Sequence, residues 1–416
     1  MSNTGTAVSE LAKMIVAGGI SVDPLAKAPT IDDVRLLAKK RLPKMAFDYI
    51  DGGADGEITL RANIADFAQV SLRLRSLVDV SAPSLTTTLV GETLPLPLLF
   101  GPCGLMRLAG GDGELSAVRA AGKAGLIYTI STASSWSIEE IAAEASGPLW
   151  FQLYMWRNRE IISTLVRRAQ EAGCTALVVT VDVPINGKRA RDHRNGMSIP
   201  PKVTVRNVAS VIRHPSWFLG LMQGPAIGFR NLQGIAEGSS AMSHQEYVNT
   251  ELVNLQASWE DVGWLRQVWD GPLLIKGITT TEDAVSAVNV GADGIFVSNH
   301  GGRQLDGVPS SISALPRIAD AVGDRLDIIL DSGIRHGSDV IKAVAVGANA
   351  AAIGRSWAWG LAAAGERGVQ HVANLYRQEI KETLQLLGVS DISALNRSHV
   401  DFPGEWNTRG SAAGLG

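Results

Sequence analysis

The sequence has little of what marks secreted, zinc-binding or membrane-spanning proteins. Its 416 residues include only two cysteines, Cys103 and Cys174, far apart and without metal-ligand spacing. We therefore predict no disulfide framework, which suits a reducing cytoplasm. The formal net charge is only −3, so no overall field favours nucleic acid. The longest early apolar run, residues 14–20, is too short to cross a bilayer and lacks the flanks of a signal peptide.

The composition is that of an ordinary globular protein, with 45% hydrophobic and 19% charged residues. A chain with this composition can form a large buried core. Residues 1–30, rich in small residues, predict a flexible N-terminal extension, and residues 401–416 predict a C-terminal tail. After the extension, Ile31 to about Asp51 has the pattern of one helix. Asp32 and Asp33 suit its first turn, and Gly52-Gly53 suits its C-cap.

From residue 95 onward, eight short apolar runs alternate with helical patterns. The predicted strands are Leu96–Gly101, Ile127–Ser131, Leu149–Tyr154, Ala176–Asp182, Leu273–Lys276, Gly294–Asn299, Asp327–Asp331 and Ala350–Gly354. Their continuous Val, Ile and Leu indicate strands buried on both faces of a parallel sheet. Gly125, Gly173, Gly291 and Gly347 stand shortly before a strand, where helix C-caps belong.

This alternation predicts an α/β protein whose domain over residues 31–400 is a (β/α)8 TIM barrel. The helix from Ile31 to about Asp51 is its N-terminal helical extension, and a long insertion follows the fourth strand. The alternative, an open doubly wound sheet, would need a glycine-rich fingerprint after an early strand, and none is present.

One connection between a strand and the next helix is unusually long. About seventy residues separate Asp182 from the helical pattern near Trp259, far more than in an ordinary βα loop. We assign residues 183–245 to an insertion after the fourth strand. Its segment 188–230 carries one acid, Asp192, against eight basic residues. The basic residues are Lys188, Arg189, Arg191, Arg194, Lys202, Arg206, Arg213 and Arg230. This segment suits either an anionic membrane surface or a mobile lid with a solvated basic face.

In a TIM barrel the active site lies at the carboxyl ends of the strands, and every predicted strand here ends in polar, ionisable or glycine-rich residues. Two of these ends, Asp331–Gly337 and Gly354-Arg355, follow the seventh and eighth strands, the usual place for phosphate in such barrels. Arg335 and Arg355 would add bidentate partners for the anion. We therefore predict a phosphate group at this mouth.

The segment from Ser298 to Asp306 is the most informative. His300 stands just past a buried strand and beside Arg303, and this position favours a catalytic base over a structural histidine. Asp182, at the end of the fourth strand, could accept its ring N–H. Lys276 closes the fifth strand and must pair with an anion or keep solvent access. Three roles are compatible with this position of Lys276: a Schiff-base lysine, a phosphate ligand, or a counter-charge to an anionic cofactor.

At this point a family resemblance can be stated. The run from Ser298 to Asp306, Ser-Asn-His-Gly-Gly-Arg-Gln-Leu-Asp, resembles the signature of the FMN-dependent L-2-hydroxy acid oxidases and dehydrogenases. Six further ordered blocks match, and with the signature they are more specific than a lone glycine motif. These blocks are residues 42–49, 151–154, 180–182, 275–277, 330–335 and 353–355, within a resemblance that covers roughly residues 31–400.

The resemblance implies a role for each matched position. His300 would be the base with Asp182 as its partner, and Tyr49, Tyr154, Arg189, His300 and Arg303 would hold the substrate, the arginines at its carboxylate and Tyr154 near its hydroxyl. The implied FMN ligands are Pro102, Cys103, Gly104, Ser131, Gln152, Thr180, Lys276, Ser298, Asp331, Ser332, Gly333, Arg335, Gly354 and Arg355. Lys276 would then stabilise the negative charge of the reduced flavin ring.

Some positions depart from the common family pattern. Cys103 stands where many relatives have threonine, and His336 where a second arginine is common. Gly104 replaces the alanine common in oxidases and resembles the mandelate and bacterial lactate dehydrogenases. Ala133 stands where glycolate oxidase has tryptophan, which implies more room for a substrate side chain.

The resemblance implies oxidation of a lactate- or mandelate-like L-2-hydroxy acid, with electrons passed to a quinone, cytochrome or similar acceptor. Two alternatives stay open: an oxygen-using oxidase that makes hydrogen peroxide, and a phosphate-binding barrel lyase or isomerase without flavin. We expect a cytoplasmic homotetramer, peripheral on the inner face of the membrane through residues 202–230. In that interaction Trp217, Phe218, Leu221 and Phe229 would enter the interface.

Overall fold

Eight parallel strands close into a barrel in the computed structural model, which describes residues 23–197, 205–234 and 253–408. The strands are β4 (Leu98–Phe100), β5 (Tyr128–Ser131), β6 (Leu149–Tyr154), β7 (Ala176–Thr180), β8 (Leu273–Ile278), β9 (Gly294–Val297), β10 (Asp327–Leu330) and β11 (Ala350–Ile353). They are hydrogen-bonded in the circular order β10-β11-β4-β5-β6-β7-β8-β9. The predicted TIM barrel and its eight strands are confirmed, and each strand end lies within two residues of its predicted place.

Large side chains fill the barrel. Trp150 and Phe296 meet edge to face inside it, with ring centroids 6.4 Å apart, so the interior is a packed core and not a channel. A hairpin of β2 (Thr87–Leu89) and β3 (Glu92–Leu94) adds the buried Leu89 and Leu94 to this core. The hairpin lies at the amino-terminal end, because the backbone N–H of Val90 donates to Asp327, the first residue of β10.

Helices surround the barrel. They are α1 (Ile31–Arg41), α2 (Lys44–Asp51), α3 (Ile58–Ala65), α4 (Glu114–Ala124), α5 (Ile138–Ala143), α6 (Arg159–Glu171), α7 (Ala190–Asn195), α8 (Val205–Ile212), α9 (Pro215–Met222), α10 (Trp259–Val268), α11 (Thr281–Asn289), α12 (Ser311–Val322), α13 (Gly337–Val346), α14 (Arg355–Leu387) and α15 (Glu405–Thr408). Backbone dihedrals at Ala364 and Gly365 interrupt α14. Gly125, Gly173, Gly291 and Gly347 have positive φ at helix ends, as predicted.

The N-terminal helix departs from the prediction, because it is two helices and not one. The helical backbone is interrupted at Leu42-Pro43, between α1 and α2, because proline lacks an N–H and disfavours helical backbone in the residue before it. The start is as predicted, with Thr30 and Asp33 forming a capping box. Gly52 is the C-cap of α2, as predicted, with its backbone in the extended region.

The terminal segments are described in part. Of the predicted extension, residues 1–22 lie outside the described residues, and Pro24–Lys27 forms a 3-10 helix. Residues 409–416 of the predicted tail also lie outside. Before them, β12 (Val400–Asp401) pairs with β1 (Ser71–Leu72), and Trp406 is buried, so this part of the predicted tail packs on the barrel. Within the described ranges, no helix is long and apolar enough to span a bilayer.

In its described residues the insertion contains short helices. α8 and α9 are joined by a bend at Arg213-His214, and Pro215 is the first residue of α9, where its missing N–H costs no hydrogen bond. Lys202 and residues 235–245 lie outside the described residues, as does the side chain of Arg206.

The prediction of which insertion residues face outward was mostly wrong. Trp217 is only 9% exposed, and its Nε1 donates to the carbonyl of Leu108 at 2.8 Å. Leu221 and Phe229 pack partly buried against the core, and Arg230 pairs with Glu140 at 3.5 Å. Of the four predicted apolar residues only Phe218 is exposed; Ile212, Leu219 and Met222 are exposed beside it in the sequence.

Candidate active site

One cavity opens at the carboxyl ends of the strands, and nearly every predicted site residue lines it. All five predicted substrate residues lie in its wall: Tyr49, Tyr154, Arg189, His300 and Arg303. The predicted cofactor residues in its wall are Pro102, Cys103, Gly104, Ser131, Gln152, Thr180, Lys276, Asp331, Ser332, Gly333, Arg335, Gly354 and Arg355. Ser298 and Asp182 are not part of the lining, and they contact the cavity residues from behind.

His300 and Asp182 form a hydrogen-bonded pair. The Nδ1 atom of His300 lies 3.0 Å from Oδ1 of Asp182, which leaves Nε2 as the ring nitrogen that Asp182 does not engage. Burial lowers the pKa of His300 below its usual value of 6.5, and Lys276 acts in the same direction while Asp182 opposes it. Burial alone would raise the pKa of Asp182, but the charges of His300 and Lys276 lower it overall. A neutral imidazole oriented by an ionised carboxylate can accept a proton near pH 7.

The backbone around this pair is unusual. His300 has a left-handed φ of 58°, and non-glycine residues in that region are uncommon and cluster at functional sites. The hydroxyl of Ser298 accepts the His300 N–H at 3.1 Å and so supports this conformation. Gly277 has a φ of +111°, and a Cβ there would lie 2.6 Å from Cβ of Asp182. Glycine at position 277 therefore makes room for Asp182, a role that the sequence pattern did not reveal.

Lys276 is a buried ammonium group. Its Nζ lies 3.2 Å from Oδ2 of Asp331 and donates to Ser298 at 3.1 Å. Burial lowers the pKa of Lys276, but Asp331 and Asp182 outweigh burial and raise it above the usual value. A Schiff-base lysine must be a neutral amine to attack a carbonyl, so this environment favours a fixed counter-charge.

Four arginines line the same cavity, and none of them forms an ion pair with a carboxylate of the described residues. Arg303 donates to the carbonyls of Tyr49, at 2.7 Å, and Gly52, at 3.1 Å. Arg355 donates to Gly52, at 2.7 Å, and Gly301, at 2.9 Å. The partners of Arg303 and Arg355 thus include carbonyls at the C-terminal end of α2, the negative end of its dipole.

The positive charge of this cluster lowers the pKa values of its own members. Burial and then the charge of Arg303 lower the pKa of Arg189 to about 10 and that of Arg355 to about 9. The Nε atoms of Arg189 and Arg355 are buried without a hydrogen-bond partner in the described part of the chain. Buried donors are costly to leave unpaired, so the cavity is built to take an anion.

Glycines keep the cavity wall open. A Cβ at Gly301 would lie 2.5 Å from Nη1 of Arg355, and one at Gly104 would lie 2.9 Å from Cβ of Ala133. Cys103 also lines the wall, and burial raises the pKa of its thiol to about 12, so it stays protonated. His336 caps α13 with an exposed side chain and does not line the cavity.

A second, outer cavity continues from Tyr154, Ala133 and His300 towards the insertion. Part of its wall is apolar, formed by Leu105, Met155, Trp156, Met197 and Phe229. Burial raises the pKa of Tyr154, at the junction of the two cavities, to about 12, so its hydroxyl keeps its proton. Apart from Ala133, the sequence offered no signal for this wall, because its residues come from separate loops.

Comparison with known proteins agrees with this geometry. Residues 38–402 match the family model described as FMN-dependent dehydrogenase. The chain belongs to this family. FMN is therefore its cofactor, as predicted.

This FMN-dependent dehydrogenase is 45% identical to the L-lactate dehydrogenase of Alcaligenes faecalis over 365 residues, which cover 87% of this chain and 96% of that protein. It is also 45% identical to the L-lactate dehydrogenase of Vibrio cholerae serotype O1 (strain M66-2), over 88% of this chain and 97% of that one. Among solved structures, the monotopic membrane protein (S)-mandelate dehydrogenase is 38% identical, with a TM-score of 0.86 over 90% of this chain and all of that one. A mandelate oxidase with benzoyl-formic acid is 37% identical, with a TM-score of 0.76 over 90% of this chain and 98% of that one.

The residues present suit FMN. The unpartnered Nε of Arg355 and the ammonium group of Lys276 are donors for an anionic group. Gly301 and Gly354 lack side chains that would fill the space beside them. Arg335 and Arg355 would hold the phosphate. Gln152, Thr180 and Lys276 would face the ring, with Ser298 holding Lys276 in place.

Proposed function

We propose that this dehydrogenase oxidises a lactate- or mandelate-like L-2-hydroxy acid to the 2-oxo acid and passes the electrons to a quinone, cytochrome or similar acceptor. The observation that carries the proposal is the His300–Asp182 pair at 3.0 Å in a cavity rich in arginine. A proton acceptor beside a carboxylate-binding group is what the oxidation of a hydroxy acid needs. The names of the lactate and mandelate dehydrogenase relatives support the same substrate class.

In the proposed mechanism, Arg189 and Arg303 bind the substrate carboxylate, with Tyr49 beside them. Tyr154 keeps its proton, donates a hydrogen bond from its phenolic O–H to the substrate hydroxyl oxygen and orients the substrate. His300 takes a proton from the substrate onto Nε2, and Asp182 stabilises the resulting imidazolium through Nδ1. The oxidation removes two hydrogens and two electrons from the substrate. His300 takes one hydrogen as a proton, and bound FMN would supply the acceptor for the other hydrogen and both electrons.

The lyase or isomerase alternative, which would use Lys276 as a Schiff base, is disfavoured by the ion pair of Lys276 with Asp331. The two functions can be separated by mixing purified holoenzyme with a panel of 2-hydroxy acids in the absence of oxygen. We expect bleaching of the flavin absorbance and stoichiometric 2-oxo acid. A flavin that stays oxidised with every L-2-hydroxy acid of the panel would contradict the proposal.

The first prediction concerns oxygen. We expect the reduced enzyme to react more slowly with air-saturated buffer than with a quinone or dye, because Gly104 matches the dehydrogenases of the family and not the oxidases. Stopped-flow reoxidation measures both rates. A Gly104→Ala variant provides the comparison, since its new Cβ must displace Ala133, 2.9 Å away. Reoxidation by oxygen as fast as turnover with the dye would support the oxidase alternative.

The second prediction concerns membrane attachment, for which Ile212, Phe218, Leu219 and Met222 provide the exposed apolar surface and Arg213 an exposed charge. We propose that this surface binds the inner face of the cytoplasmic membrane, since apolar insertion and basic residues act together at anionic lipid. Co-sedimentation with anionic liposomes should capture the protein at low salt. Leu219→Ser should weaken capture, whereas the control Leu386→Ser, which changes an exposed leucine of α14, should not. Protein that stays in the supernatant would contradict membrane binding, and the insertion would then be interpreted as a lid.

A further inference from the structure

The segment that carries Arg189 does not belong to the barrel, so something outside the barrel must hold it in place. Arg189 precedes α7, at the start of the insertion. The placement of the Arg189 guanidinium therefore depends on the contacts that residues 183–197 make with the rest of the protein.

Gln304 holds the start of this segment, since it accepts the Gly187 N–H at 3.1 Å and donates to the Ile185 carbonyl at 2.8 Å. The later polar contacts lead to α2 and the turn after it. Asn195 donates to Oδ2 of Asp48 at 2.7 Å, and the Lys188 carbonyl accepts the Asp55 N–H at 2.8 Å. The ionic contacts come from Arg191, whose Nη1 donates to Asp51 at 2.9 Å and whose Nη2 donates to Glu57 at 2.5 Å. The guanidinium of Arg191 thus bridges two carboxylates on either side of the end of α2.

Asp51 is a buried carboxylate at the centre of this arrangement. Its side chain is only 4% exposed, and Arg35 also binds it through two hydrogen bonds, at 2.6 and 2.9 Å. Burial alone would raise the pKa of Asp51, but Arg35 and Arg191 lower it. Asp51, held in place by Arg35, is thus a fixed anchor for the Arg191 guanidinium.

The same helix end serves the other substrate-binding groups. α2 carries Tyr49 in the cavity wall, and Arg303 donates to the carbonyls of Tyr49 and Gly52 at 2.7 and 3.1 Å. Asp51 lies between these two carbonyls in the sequence. One short stretch of chain, residues 49–52, therefore contacts Arg303 directly and Arg189 through Arg191.

From this geometry we infer that Arg191, bound to Asp51 and Glu57, is a positioning residue that sets Arg189 relative to Tyr49 and Arg303 for binding the substrate carboxylate. This inference rests on the proposed function and adds a residue to it. Arg191 does not line the inner cavity, so it acts through Arg189 and not on the substrate itself. Small displacements of a binding group are enough to weaken a charge-assisted contact.

The test is an Arg191→Gln holoenzyme. We expect its dissociation constant for benzoylformic acid, titrated by the change in flavin absorbance, to rise about tenfold, and KM for the hydroxy acid to rise similarly. The limiting rate of flavin reduction should stay within about twofold, because the His300–Asp182 pair is untouched. Arg194→Gln is the matched control, since Arg194 lies on the same helix and is exposed. Arg191→Lys should recover part of the affinity by pairing with one of the two acids.

A double-mutant cycle separates positioning from general damage. In an Arg189→Met background, Arg191→Gln should cost little further affinity. An equal loss in both backgrounds, an equal loss in Arg194→Gln, or unchanged affinity in Arg191→Gln would each overturn the inference. Failure of the proposed function would look different, because the wild-type flavin would then not be reduced by any 2-hydroxy acid, while binding of benzoylformic acid would still report on Arg191.

Discussion

Replacing His300 by alanine is expected to lower the limiting rate of flavin reduction by the hydroxy acid about 10²–10⁴-fold, the usual effect of losing a general base. The physical reason is that, in the proposed mechanism, Nε2 of His300 accepts the proton and Asp182 stabilises the cation that forms. FMN should stay bound, because Lys276, Arg335 and Arg355 are unchanged. Anaerobic stopped-flow measures the rate, and the flavin absorbance of the purified variant measures cofactor content.

Two further measurements sharpen this result. Asp182→Asn should also be slow, because an amide can still orient the ring but no longer stabilises the imidazolium. In the wild type, kcat/KM should fall on the acid side with a pKa below 6.5, since burial lowers the pKa of His300 and only the neutral ring accepts a proton. Flavin reduction near the wild-type rate in His300→Ala would remove His300 from the mechanism.

The second large effect is expected at the arginines. Arg303→Lys and Arg189→Lys keep the charge but lose the planar group of donors, and charge-assisted hydrogen bonds contribute about 1.5–3 kcal/mol each. We therefore expect KM for the hydroxy acid to rise about 10- to 100-fold. For Arg303 the substitution also removes the contact with the Tyr49 ring, whose centroid lies 5.2 Å from the guanidinium carbon.

The substrate itself provides the control for the arginine variants. Amides or esters of the same hydroxy acids lack the carboxylate charge, so they should be poor substrates of the wild type and should lose little more in either variant. If amides react as well as the free acids, or if both variants keep the wild-type KM, Arg189 and Arg303 do not recognise the carboxylate.

Much of the barrel could be predicted because its signals are local. Continuous apolar runs such as Leu149–Tyr154 identify a buried strand without reference to the rest of the chain. Once the strands are ordered in a barrel, their carboxyl ends must meet at one mouth, which is why Lys276, His300 and Asp331 could be assigned to one site. The break at Pro43 was also visible in the sequence, and we gave the helical pattern around it too much weight.

What could not be predicted depends on contacts between distant segments. Trp217 looked like a membrane residue from its neighbours in the sequence, but the carbonyl of Leu108 accepts its N–H in the folded protein. The contact of Arg191 with Asp51 joins residues 140 positions apart, and no periodicity marks it. A glycine is needed at position 277 because a Cβ there would collide with the side chain of Asp182, and these two residues become neighbours only in the folded protein.

The β2–β3 hairpin affects how small molecules can reach the site. Its Leu89 and Leu94 close the amino-terminal end of a barrel already filled by Trp150 and Phe296, so the core formed by the described residues leaves no route to the site. Under the proposed function, the hydroxy acid, the 2-oxo acid and the electron acceptor would then share the opposite mouth. In that arrangement we expect the 2-oxo acid to leave before the electron acceptor enters.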